Sequence, residues 1–244
     1  MAGVALAEVG RFAEGLTTAE GVIREGQAAA HPYSLYHAYW ARAVVHLGRG
    51  EPERAGEAAS RIRQLAAGTI GPFVYNAAGL LGHAHALAGR STEALRLLEG
   101  VDLARERRND FTAHRYALSL REACLLGERL DDALRTARGA LTLAQTSNAR
   151  GREAHVRRLL GDVHAARGDD DQAEQFYRDA MALGAELGMD PLLARCHLGL
   201  GGFHRRLGKP EQAREHLETA TVMLRDMEMW YWMEKATTAL RELG

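Results

Sequence analysis

The sequence predicts an all-α chain assembled from repeated helical hairpins, and three observations carry that reading. Small residues dominate, with 43 alanines and 26 glycines among 244 residues, while prolines number 5 and aromatics make up 6%. That balance favours closely packed helices over a β-rich fold. A short phrase, glycine followed by polar residues and an alanine, recurs along the whole chain. Between the phrases, apolar residues fall at i, i+3, i+4 and i+7, the spacing of amphipathic helices, and no strand pattern survives.

The phrase sets the units. It reads GRFA at Gly10–Ala13, GEPERA at Gly50–Ala55, GRSTEA at Gly89–Ala94, GERLDDA at Gly127–Ala133, GDDDQA at Gly168–Ala173 and GKPEQA at Gly208–Ala213. The closing alanines lie 42, 39, 39, 40 and 40 residues apart. Overlaying 151–190 on 191–230 pairs Ala154 with Ala194, Leu160 with Leu200, Gly161 with Gly201, His164 with His204 and Ala180 with Ala220. A fixed period of this length marks an array in which each unit buries its apolar face on its neighbours.

Each unit supplies two helices. The Ala/Leu-rich segment before the phrase makes helix A, and the phrase's glycine closes it by accepting the left-handed conformation. Pro52, Ser91, Asp169 or Pro210 then opens helix B as a cap or first-turn residue. A short loop between two amphipathic helices makes an antiparallel hairpin. In order, the predicted helices are 2–9 and 11–29, 32–48 and 52–67, 71–88 and 91–107, 110–127 and 130–147, 150–167 and 170–187, 191–207 and 210–228, then a closing helix 229–243. The chain is expected to be a single domain with repeats at 1–30, 31–69, 70–109, 110–148, 149–190 and 191–228.

A small residue at repeat position 8 with alanines at 20 and 27 resembles the tetratricopeptide repeat (TPR). Gly161, Ala173 and Ala180 match that skeleton, as do Gly201, Ala213 and Ala220. The third unit has Gly82 and Ala94 with Val101 in the last place, and the fourth has Ala133 and Ala140 with Arg121 at position 8. In the second unit Ala43 and Ala55 fit and Ile62 departs. The resemblance implies a right-handed TPR-like α-solenoid of about six hairpins plus a C-terminal capping helix. The long period and the closing segment Met223–Gly244 are similar to the C-terminal TPR regions of bacterial multidomain signal-transduction ATPases, of the MalT/LuxR type or joined to cyclase-like modules. That likeness implies a cytoplasmic signalling or transcription-regulating protein.

The first unit is short. Counting back from Ala13 puts position 8 at Met1, so half of its helix A is missing. The expectation is a fragment or homologue of the C-terminal part of a longer protein; a short protein capped by a second copy is the other reading. Val4, Leu6, Val9 and Phe12 are expected to form an apolar edge suited to homodimerisation.

Charge and composition exclude several classes. A net charge of −1 gives no bulk field toward nucleic acid or membrane. No apolar run is long enough to span a bilayer, and the opening residues lack a signal-peptide pattern. Cys124 and Cys196 form no metal motif and fit a reducing compartment. No catalytic set appears: GxSxG, HExxH and Walker patterns are absent, and Gly79–Gly82 and Gly199–Gly202 read as helix-packing glycines. Asp169–Asp171 reads as a helix N-terminus and Arg105–Arg108 as a solvated helix end. His46, His85, His164 and His204 each stand nine residues before their repeat's alanine. Equivalent positions lie about 10 Å apart, too far to share one metal, so these histidines are read as packing residues. No cofactor or metal is expected.

The remaining candidate is the groove. The resemblance implies that positions 2, 5, 9 and 12 of each helix A face a concave surface. Those positions give His37, Trp40, Asn76, His83, Arg115, Glu122, His155, Arg158, Asp162, Arg195 and Arg205. This polar, mixed-charge strip suits a peptide or protein segment carrying carboxylates. Arg158/Asp162 and Leu118/Glu122 replace the Lys/Asn clamp of chaperone-binding TPRs, so a ligand of that kind is not implied. The expected function is therefore non-catalytic protein binding, with a sensor for a small molecule or peptide pheromone as the alternative.

Overall fold

A computed structural model describes residues 2–67, 72–99 and 129–244. Twelve helices account for the regular structure of the described residues, and no strand occurs among them. They are α1 (Ala2–Glu8), α2 (Phe12–Ala28), α3 (Pro32–Arg49), α4 (Pro52–Leu65), α5 (Pro72–Leu87), α6 (Ser91–Glu99), α7 (Leu130–Thr146), α8 (Arg150–Arg167), α9 (Asp170–Glu186), α10 (Asp190–Arg206), α11 (Pro210–Asp226) and α12 (Trp230–Arg241). The fold is a TPR-like α-solenoid, as the phrase spacing predicts. The expected helix 110–127 and the second half of 91–107 lie outside the described residues.

The chain divides into two compact units, one of residues 1–7 and 11–133, the other of residues 8–10 and 134–244. In the first unit, α2 packs on α3, α3 on α4, α4 on α5 and α5 on α6, and the two A helices α3 and α5 also touch. The second unit repeats the plan: α8 packs on α9, α9 on α10, α10 on α11 and α11 on α12, with α8 against α10 and α10 against α12.

Small residues set the hairpin packing where the sequence places them. Ala55, Ala94, Ala173, Ala180, Ala213 and Ala220 are all fully buried. A Cβ built on Gly161 would sit 3.0 Å from the Tyr177 ring, one on Gly82 would sit 3.0 Å from Leu98, and one on Gly201 would meet Leu217 at 2.5 Å. Each glycine thus receives the side chain 16 residues later in helix B, and ordinary contact at that position requires its missing side chain.

Two kinds of turn separate the helices. Helices α3, α5, α8 and α10 lead to Gly50, Gly89, Gly168 and Gly208, all at positive φ, as predicted. The chain then closes a 6→1 bond: Glu51 N donates to His46 O at 2.8 Å, Arg90 N to His85 O at 2.8 Å, Asp169 N to His164 O at 3.0 Å and Lys209 N to His204 O at 3.0 Å. The turns out of helix B use the same bond with different chemistry. Ala30, Asn148 and Glu228 take positive φ there, and among the described turns only the fifth unit's supplies glycine, at Gly188. Sequence reading misses this second turn because it carries no constant residue.

The N-terminal edge differs from expectation. Helix α1 packs on α2 with Gly3 and Gly15 in close backbone approach. Phe12 is 3% exposed and lies against Gly48, and Val4 and Leu6 are half-buried. The predicted apolar edge is mostly consumed inside, with Val9 left exposed.

Candidate functional site

In the first unit the strip begins on α3. Tyr33, Tyr36, His37 and Trp40 follow i, i+3, i+4, i+7 spacing and share one face of the helix. His37 stands between the others, 4.3 Å from the Tyr33 ring and edge-on to Tyr36 and Trp40 at 4.9 and 6.4 Å. Tyr33 is exposed, His37 is half-buried, and Trp40 is buried. Asn76 on α5 donates Nδ2–H to the Tyr36 hydroxyl at 2.6 Å, tying the two A helices together. Burial pushes the Tyr36 phenol above its ordinary value, so it stays protonated. His83, also on α5, is buried rather than facing solvent. Arg115 and Glu122 lie outside the described residues. The two tyrosines were missed by sequence reasoning, although their helical spacing with His37 and Trp40 was a usable signal.

In the second unit the strip is charged. Arg158 is 3% exposed and donates from Nη1 to Asp162 Oδ2 at 2.6 Å, while the Tyr177 hydroxyl donates to Asp162 Oδ1 at 2.6 Å. Burial, then the adjacent carboxylate, holds the Tyr177 phenol well above its ordinary value, so it acts as a donor. Cys196 lies buried beside this group, and desolvation pushes its thiol up to about 12, which leaves it an inert packing residue. Gly199 makes room for the tyrosine, since a Cβ there would stand 2.7 Å from its hydroxyl. Arg195 lays its guanidinium over the Trp232 ring at 3.4 Å. Arg205 is ion-paired with Glu242, and His155 is half-buried on α8. Of the predicted strip residues here, Arg158 and Asp162 are brought together inside, whereas His155, Arg195 and Arg205 keep partial access to solvent.

The histidine ladder is a set of turn latches as well as packing. His46 Nδ1 meets Glu51 Oε2 at 2.6 Å, and His164 Nδ1 meets Asp169 Oδ2 at 3.0 Å. In the third unit the roles reverse, with Arg90 Nε donating to His85 Nδ1 at 2.8 Å. The partner is always the residue that closes the 6→1 turn. Asp169 therefore serves the turn through His164, which holds its carboxyl below the usual range, instead of capping the helix backbone. His204 departs: Lys209 occupies the partner's place, and its Nδ1 is buried without a hydrogen bond.

A cavity of about 530 Å³ opens to solvent beside α3 and α4, lined by Tyr39, Arg42, Ser60, Arg61 and Gln64 among others. Its lining is polar. Among the described residues no group of three or more histidine, cysteine or acidic side chains is placed to hold a metal ion, and no helix is long and apolar enough to cross a membrane.

Comparison with known proteins matches this architecture. Tetratricopeptide-repeat family models match residues 36–61, 76–99, 157–188 and 194–219. A signal transduction ATPase with numerous domains (STAND), with a tetratricopeptide repeat sensor, from Pyrococcus horikoshii has a similar fold. Its TM-score is 0.59 at 17% identity, with 87% of this chain and 32% of that chain covered. The chain thus spans about a third of that protein. BtubC (BKLC) from P. vanneervenii gives a TM-score of 0.56 at 18% identity, covering 88% of this chain and 92% of that one. No curated protein matches in sequence.

Proposed function

The chain is a tetratricopeptide-repeat protein, and from that premise we propose that it is a non-catalytic module that binds a peptide or protein segment along its A helices. The observation that carries the reading is the strip itself. Tyr33 on α3 is exposed, and His37 beside it, with His155, Arg195 and Arg205 on α8 and α10, keeps partial access to solvent on a scaffold of buried alanines and glycines. Aromatic faces and guanidinium forks are the groups that capture extended or helical segments bearing carboxylates. The open, polar cavity beside α3 and α4 lacks the enclosed apolar lining that suits a small-molecule sensor. Likeness to the STAND protein supports a place in a signalling assembly, with the ligand read by these repeats and relayed elsewhere; a cytoplasmic, transcription-regulating role is the finer part of the proposal.

The test is a peptide-library selection against the full chain, followed by affinity measurement with the Tyr33→Ala/His37→Ala and Arg195→Ala/Arg205→Ala variants. Selected ligands are expected to weaken at least tenfold in one variant or both, with unchanged circular dichroism. Ligands that bind every variant equally would overturn the assignment.

A further inference from the structure

The α10/α11 hairpin holds a cluster that the binding strip does not use. His197 on α10 and His216 on α11 present their Nδ1 atoms to each other at 2.9 Å. His204, two turns along α10, stacks on His216 with the ring planes 7° apart and their centroids 5.4 Å apart. Burial, and then mutual repulsion for His197, pushes both members of the pair below the ordinary histidine value, with Glu215 pulling the other way. Both imidazoles are thus neutral at pH 7, the form that ligates metals.

The 2.9 Å separation is that of an Nδ1–H···Nδ1 hydrogen bond, so an ion enters when that proton leaves and both rings turn their lone pairs toward it. A pair that keeps this separation fixes the angle at the ion. Two imidazole nitrogens each 2.0–2.1 Å from one ion subtend an angle of about 90° when they are 2.9 Å apart. A tetrahedral ion needs them about 3.3–3.4 Å apart at the same bond length. A right angle is the cis angle of tetragonal Cu²⁺ and Ni²⁺, and Cu²⁺ heads the affinity order of divalent first-row ions. The geometry points to His197 and His216 as a two-imidazole site for a tetragonal divalent cation, Cu²⁺ in preference to Ni²⁺, completed by water. Without the ion, one ring donates its Nδ1–H to the other. On binding, that proton moves to Nε2 of the same ring, so no net proton is released at neutral pH.

Repeat five supplies the control. It has Arg157 and Phe176 at the places of His197 and His216, and Phe176 stacks on His164 at 5.3 Å as His216 stacks on His204. His216→Phe therefore keeps the hairpin's packing while removing a ligand. The experiment titrates the full chain with Cu²⁺ against a competing chelator and records electron paramagnetic resonance at half an equivalent of metal. Expected are a tightest site with two nitrogen couplings, at least tenfold weaker binding in His216→Phe and in His197→Ala, and no change in His37→Ala. Unchanged tight binding in folded His216→Phe, or tight binding lost only in His37→Ala, would overturn the assignment. Melting in the presence of chelator confirms that each variant is folded.

Discussion

Repeats five and six follow one backbone plan and bury different chemistry within it. At positions 5, 9 and 24, repeat five has Arg158, Asp162 and Tyr177, joined by two 2.6 Å hydrogen bonds. Repeat six has Leu198, Gly202 and Leu217 at the same three places. The polar group is present as a whole or absent as a whole, which is the pattern expected when a half-satisfied buried network costs more than an apolar core. At positions 4 and 23 the contrast runs the other way, with Arg157 and Phe176 in repeat five against the facing histidines of repeat six. The A-to-B turn completes it: Asp169 answers His164, and Lys209 leaves His204 unanswered. Backbone geometry is thus held by glycine and alanine, and the side chains above it vary in coupled sets.

The largest expected effect comes from breaking the triad one residue at a time. Arg158→Leu leaves the Asp162 carboxylate buried beside a tyrosine alone and is expected to cost about 3–5 kcal/mol by denaturant titration. The triple change Arg158→Leu, Asp162→Gly, Tyr177→Leu, which writes repeat six into repeat five, should recover most of that loss. Equal losses in the single and triple variants would break the comparison.

Next is the close approach of the helices. Gly201→Ala puts a Cβ 2.5 Å from Leu217 and 3.3 Å from the Ala213 carbonyl, and should cost about 1–3 kcal/mol. Gly202→Ala, with nothing within 4 Å, should be neutral or slightly stabilising.

Lys209→Asp gives His204 the carboxylate that His164 already has. A gain of about 1 kcal/mol is expected, together with a higher His204 pKa by NMR titration. Acid sensitivity sharpens the same contrast. Burial is the first cause that lowers His197, His204 and His216, so the unfolded chain binds more protons in acid than the folded one. Their contribution is intact above about pH 6.5 and is lost as pH falls below it. Thermal melts in chelator should show that decline, with a smaller slope in His216→Phe. A smaller gain is expected at the outgoing turns, where Ala30→Gly relieves a left-handed alanine at φ 48 against glycine's larger backbone entropy and should stabilise by about 0.5 kcal/mol.

Much of this was legible in the sequence. The glycine–alanine phrase placed the hairpins, the A-to-B turns and the buried small residues, because each depends on one residue type at one place. The ladder of His46, His85, His164 and His204 was visible as a pattern, but its latch role depends on the residue five positions on, which changes from Glu51 to Arg90 to Asp169 to Lys209. The strip was legible as positions and not as exposure. Trp40, His83 and Arg158 are buried, and burial depends on side-chain direction rather than spacing. The facing residues His197 and His216 lie 19 apart in sequence on two successive helices, a separation that no single-helix period marks.

The central claim, that ligand binds along the A helices, is tested most directly by hydrogen exchange on the full chain with and without a selected peptide. Added protection is expected in α3, or in α8 and α10, with α4, α9 and α11 unchanged. Protection confined to the B helices, with the A helices unaffected, would contradict it.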